Sequence, residues 1–303
     1  ATGCHIVKLS PVRLEPWFSP RIWGARSLAP LFPEQTNLTE PIGEAWLTGL
    51  ECRFATGPFS GRTLGEAWPG MPQDWAGTRI AQGDAFPLLV KFLFPEDKLS
   101  IQVHPGDDYA QRHEQAAGGR GKTEMWYVVA ARPGAEMLLG LKPEVTPGTF
   151  RRALAEGTLE GCMERVPVRA GEAIYAPAGT VHSLGPGMLL CEIQEYSDLT
   201  YRVYDYGRVT PEGTPRKLHI EQALEVIQWG EQSCGKVEPV RISRGPVAET
   251  YFIACRYFAT EKWEFAERIA AATSSEHFDL LIIIEGSGRM EWGGQSEGYR
   301  PGQ

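Results

Sequence analysis

Glycine and proline punctuate this chain from end to end: 34 Gly and 23 Pro are spread through 303 residues rather than gathered in a linker. Glycine frees the backbone for tight turns, and proline interrupts both helices and central strands. Such spacing suits many short strands joined by turns and leaves little room for long helices. With 42% of its residues hydrophobic, the chain can fill one large core or two barrel-sized ones. The expected fold class is mainly β with a few short helices.

Charge narrows the partners. The formal net charge is −8 and no long run of Lys and Arg occurs, which argues against nucleic acid, whose phosphate backbone requires a basic surface. An anionic small molecule remains compatible, provided a local basic cluster holds it. Six cysteines stand at 4, 52, 162, 191, 234 and 255 with no CxxC pair, a scatter that suits free thiols in a reducing cytosol. The longest apolar run, near 280–284, is far too short to span a bilayer. No basic segment followed by an apolar stretch opens the chain, so no signal peptide is expected and a cytoplasmic setting is. Ala1 in place of Met is read as trimming or renumbering.

Along the chain, the first 60 residues read as loop-rich, and 63–75 as one or two short helices. The apolar run 86–94 reads as a buried strand and 99–104 as an alternating one. A short helix is expected over 107–117 with Asp at its cap, then strands over 123–131 and 136–141. A helix divided by Gly157 follows over 147–162, then three strand-like stretches between 164 and 206. Residues 217–227 have amphipathic helical spacing. Beyond Gly230 a second β-rich stretch begins, in which 278–285, a turn at 286–288 and 289–292 read as strand, turn, strand. A soft domain boundary is placed near 229, giving units of 1–228 and 229–303. The second stops in mid-pattern for a barrel and is expected to be incomplete, with N-terminal strands able to join it.

Candidate chemistry sits in the first unit. Gln102 and His104 are two apart on an expected strand, so an acceptor oxygen and an imidazole point to one face. Gly171, five residues, Pro177, one residue, Gly179, two residues and His182 match the second motif of the cupin barrels, in which a turn shaped by glycine and proline presents a ligand histidine at the barrel mouth. The first cupin motif is normally His-x-His followed closely by Glu; here it is Gln102-x-His104, with Glu124 beyond a helical insertion.

That departure resembles the type I mannose-6-phosphate isomerase family, in its short bacterial form. The stretch 99–110, LSIQVHPGDDYA, is similar to the family's first signature. GKTEMWY over 121–127 resembles its second, and 192–208, EIQEYSDLTYRVYDYGR, its third. The resemblance implies two cupin jelly-roll barrels, a metal in the first only, and interconversion of mannose 6-phosphate and fructose 6-phosphate through an enediol(ate). It implies a zinc ion on Gln102, His104, Glu124 and His182, although an N/O donor set also accepts iron, manganese, cobalt or nickel. It further implies Arg202, Lys122 and Asp198 as catalytic residues, and Ser100, Lys122 and Arg202 as substrate-binding ones. Lys122 and Arg202 would supply the local basic charge that a sugar phosphate requires of an acidic protein.

Other classes use the same scaffold. A cupin oxygenase, an isomerase of another sugar phosphate, and a non-catalytic sugar-phosphate sensor are the alternatives. An oxygenase has less purpose for Lys122 and Arg202, and a sensor is expected to lack Arg202 or a ligand. His219, in a basic-Leu-His motif, reads as packing; His5, His113 and His277 read as incidental. A monomer or homodimer is expected.

Overall fold

A computed structural model describes residues 9–210 and 212–303; Cys4 and His5 lie outside them. Seventeen strands and five short helices follow in order: β1 Trp17–Ala25, β2 Ile42–Trp46, α1 Leu64–Ala67, α2 Gln73–Ala76, β3 Leu88–Leu93, β4 Ile101–Val103, α3 Asp107–His113, β5 Glu124–Ala131 and β6 Glu136–Leu141. Next come α4 Pro147–Glu156, β7 Met163–Pro167, β8 Ala173–Ala176, β9 His182–Leu184, β10 Met188–Glu195, β11 Tyr201–Tyr204 and α5 Ile220–Val226. The chain then adds β12 Gly235–Lys236, β13 Val240–Arg244, β14 Val247–Ala254, β15 Ala259–Glu264, β16 Gly288–Trp292 and β17 Gln295–Tyr299.

Two large antiparallel sheets face each other, in the orders β1-β2-β3-β10-β5-β8-β12 and β11-β4-β9-β6-β7. Their shared interior holds Leu93, Trp126, Val128, Ile174 and Leu190 from the first sheet and Met137, Leu139 and Leu184 from the second. The outer face of the seven-stranded sheet is buried too, under a cluster that joins Phe92, Met125 and Tyr127 to Phe32, Phe252 and Phe258. Burial on both faces explains why β3 reads as a nearly continuous apolar run. Phe150 and Ala153 of α4 and Ala223 of α5 cover the far side of the five-stranded sheet, against Ile101, Val103 and Tyr201.

Several expected elements shift. The N-terminal 60 residues are less loop-like than their composition, since β1 and β2 form one edge of the larger sheet. Five strands rather than three lie between 163 and 204. Gly106, not an aspartate, occupies the cap of α3, because Asp107 is turned to accept the Gly121 N–H at 2.9 Å. The helix near 217–227 is only α5, its N-terminal part being held extended against β11. Residues 278–285 are extended, with Phe278, Leu280, Ile282 and Ile284 packed inward, yet they form no ladder; Ile283 pairs only with the 302–303 tail. The hairpin instead joins β16 to β17 across Gly293-Gly294, both at positive φ as a two-residue turn requires.

The stretch beyond 229 packs on the first half of the chain. β12 pairs with β8, and Phe252 lies 5.4 Å from the Tyr127 ring. Truncating Phe252 to Ala should therefore cost about 3–5 kcal/mol and lower the stability of the whole chain in one transition. Chemical denaturation followed by both tryptophan fluorescence and far-UV circular dichroism checks this.

Candidate metal centre and active site

Three strand ends meet at one mouth of the sandwich. His104 follows β4 directly, Glu124 opens β5 and His182 opens β9, with Gln102 opposite His182 in the β4–β9 register. The turn before His182 works as its motif suggests: Gly179 adopts φ 87°, and any side chain there would lie 2.9 Å from the Val226 carbonyl oxygen. The Gly179 N–H donates to the His104 carbonyl at 2.8 Å, tying the two histidine segments together.

His104, Glu124 and His182 are all buried, and their ligand atoms lie within 4.8 Å of one another. The His104 Nδ1–H donates to the Leu199 carbonyl at 2.7 Å and the His182 Nδ1–H to the Thr180 carbonyl at 3.0 Å. Each Nε2 therefore presents a lone pair, as second-sphere bonds to a metal-binding imidazole require. Burial and the adjacent Lys122 ammonium push His104 down to about 3, and burial likewise lowers His182. Burial alone would raise Glu124, but the Lys122 ammonium outweighs it and holds the carboxyl well below its usual range.

The outcome is a nest of acceptors. Glu124 Oε1 stands 3.4 Å from His104 Nε2 and 3.1 Å from His182 Nε2, and it has no hydrogen-bond donor. Lone pairs crowded in this way, around a buried carboxylate, suit a divalent cation, and the N/O set matches borderline metals. Gln102 borders the same group: its Nε2–H donates to His182 Nε2 at 3.3 Å, and its Oε1 accepts from the Ser100 hydroxyl at 3.3 Å.

Around this nest lies a chain of alternating charge. Lys122 contacts Glu124 Oε2 and donates to His104 Nε2 at 3.1 Å. Glu192 Oε1 is 3.8 Å from Lys122 and its Oε2 is 3.1 Å from Lys91, which in turn lies 3.8 Å from Glu44; Arg21 closes the row on Glu44 at 2.8 Å. Burial pushes Glu192 up, with Lys91 and Lys122 opposing. Burial would lower Lys91, but Glu192 and Glu44 outweigh it. Lys91, Glu192 and Glu44 escaped the sequence reading. Their signal was present: Lys91 is the one charged residue in the apolar run 86–94, and Glu192 opens the third signature.

Two further expected residues sit outside the nest. Arg202, half-buried on β11 and paired in register with Gln102, donates to the Lys217 carbonyl at 3.1 Å, and its buried Nε has no partner. Arg216, Asp205, Arg208 and Arg21 all act on it, three of these four being cations. Asp198 is exposed on the loop after β10, where its charge acts on Lys91 rather than on the nest.

A jelly-roll sandwich with a His-Glu-His nest at its mouth is the architecture of a cupin bearing a candidate metal site. The family model of the type I phosphomannose isomerase catalytic domain matches residues 12–128. Mannose-6-phosphate isomerase ManA of Bacillus subtilis is 35% identical over 92% of this chain and 87% of its own length. The mannose-6-phosphate isomerase of Streptococcus mutans is 31% identical over 96% and 90%. The crystal structure of the Bacillus subtilis mannose 6-phosphate isomerase superposes with a TM-score of 0.88 at 32% identity, covering 97% of this chain and 95% of that one. The chain belongs to the type I phosphomannose isomerase family.

Beneath the nest, Glu195 accepts the Thr123 N–H at 2.7 Å and faces Asp107; burial first, and Asp107 after it, raise Glu195 to about 7. A carboxyl raised on folding contributes stability that is complete below its unfolded value near 4.5 and lost as pH rises through about 7. Glu195→Gln should flatten that part of the pH–stability curve. Thermal unfolding of both metal-free proteins across this range checks it, equal slopes being the contrary result.

Proposed function

We propose that this protein is a zinc-dependent isomerase interconverting mannose 6-phosphate and fructose 6-phosphate. The observation that carries the reading is the acceptor-only nest of His104, Glu124 and His182 in a member of this family, with a half-buried arginine on the neighbouring strand. His104, Glu124, His182 and Gln102 would hold the ion, and its contribution when bound is Lewis-acid polarisation of the sugar oxygens.

The remaining work falls to side chains of the chain itself. An aldose–ketose interconversion moves a proton between C2 and C1, so one group must take it and return it. Lys122, bordering the nest, is the donor–acceptor. To take the C2 proton it must first hand one to a neighbouring carboxylate, and Glu192, whose carboxyl burial pushes up, is that neighbour. Asp198 at the rim is the second candidate for this exchange. Arg202 binds the phosphate through its forked donors, an anion being favoured where Arg21, Arg208 and Arg216 add positive potential. Ser100, buried beside Gln102, orients that amide and lines the approach.

The setting we assign is cytoplasmic, as a monomer or homodimer. In support, no helix of the described residues is long and apolar enough to cross a membrane, and Cys52, Cys162, Cys191, Cys234 and Cys255 are free.

Removing metal with a chelator should abolish turnover of mannose 6-phosphate in a coupled assay, and zinc should restore it; absence of turnover in fully metallated protein overturns the reading. Arg202→Ala should lose activity by on the order of a hundredfold or more while retaining its metal content. Wild-type turnover in that variant would remove Arg202 from the site.

A further inference from the structure

His219 lies outside the nest and touches none of its members, yet it makes a specific connection to Arg202. β11 is the edge strand of the five-stranded sheet, and Arg202 is a position whose backbone N–H and C=O point away from β4. An edge residue of that kind leaves both groups to water or to a passing strand. Here one residue takes both. The His219 N–H donates to the Arg202 carbonyl at 2.8 Å, and the Arg202 N–H donates to His219 Nδ1 at 3.3 Å. The same segment supplies a third bond, from the Arg202 guanidinium to the Lys217 carbonyl at 3.1 Å. Residues 217–219 therefore hold the arginine at its backbone and at its tip.

We propose that His219 is a positioning residue for Arg202: its neutral imidazole, protonated on Nε2 only, completes the backbone clamp that aims the guanidinium at the substrate's phosphate. The inference rests on the phosphate-binding reading of Arg202 given above. Nδ1 has to accept, so a proton on it sets N–H against N–H and adds a cation beside Arg202. Protonation opens the clamp.

The surroundings keep the imidazole neutral. Arg202 and Tyr201 face it from β11, the Tyr201 ring 6.0 Å away; Glu114 approaches from the end of α3 and is bonded to the Tyr201 hydroxyl; Lys217 belongs to its own segment. Burial, then Lys217 and Arg202, lower His219 below its ordinary value, with Glu114 opposing. A histidine serving only as packing has no need of an accepting Nδ1, and any apolar ring of its size would serve as well.

The experiment is a substitution series assayed with mannose 6-phosphate, alongside competitive inhibition by inorganic phosphate. His219→Asn places Oδ1 where Nδ1 stands; His219→Gln places its oxygen further out, and His219→Leu has no acceptor. Leu and Gln should raise KM and the phosphate inhibition constant together by roughly tenfold, the scale of one hydrogen bond that orients a charged group. Metal content should stay unchanged, and Asn should remain near wild type. As pH falls from about 6.5 to 5, the wild-type KM should rise more steeply than that of His219→Asn, which has no group to titrate there. Circular dichroism establishes that each variant is folded. Equal effects of Asn and Leu, or a loss confined to stability with KM unmoved, would overturn the proposal. Full activity of Arg202→Ala would instead overturn the phosphate reading beneath it.

Discussion

A carboxylate sealed from water must find positive charge, and at Glu124 one oxygen has only partial satisfaction available to it. Oε2 meets Lys122, while Oε1 looks onto two imidazole lone pairs and no donor. Buried charge left uncompensated costs several kcal/mol, so this oxygen organises what surrounds it. The two Nδ1–H bonds to backbone carbonyls turn both rings toward it, and burial keeps both rings neutral. The same demand propagates outward. Lys122 is shared with Glu192, Glu192 with Lys91, and Lys91 with Glu44, so each ion offsets the desolvation of the next.

Topology makes this row affordable. The seven-stranded sheet is covered on both faces, and alternation along β3, β5 and β10 sends Phe92, Met125 and Cys191 outward while Lys91, Glu124 and Glu192 point between the sheets. Apolar packing and the ionic row occupy opposite faces of the same strands. The tryptophans bridge the two: the Trp126 indole donates to Glu192 at 2.9 Å and the Trp46 indole to Glu44 at 2.7 Å. Loss of one member leaves its neighbours unpaired, which is why truncations within the row should act well beyond the residue removed.

Much of the centre was legible because local rules specify it. The Gly171–His182 turn announces its histidine through glycine and proline geometry, and Gln102 and His104 share a face by simple alternation. Elsewhere the decisive contacts come from far along the chain. Lys91 and Glu192 are separated by a hundred residues, and only the β3–β10 register makes them partners. Residues 278–285 are apolar as a buried strand should be, yet Ile283 bonds only to the 302–303 tail. Asp107 looked like a helix cap, and the Gly121 N–H claimed it. His219 read as packing because its use is to a backbone, which no side-chain pattern reveals.

The central question for this protein is whether the nest binds metal through both imidazoles. X-ray absorption at the zinc edge, on protein loaded with one equivalent per chain, measures this directly. The prediction is a first shell of nitrogen and oxygen alone, with the outer-shell scattering of two imidazoles. Sulfur in the first shell, or scattering from fewer than two imidazoles, would contradict it.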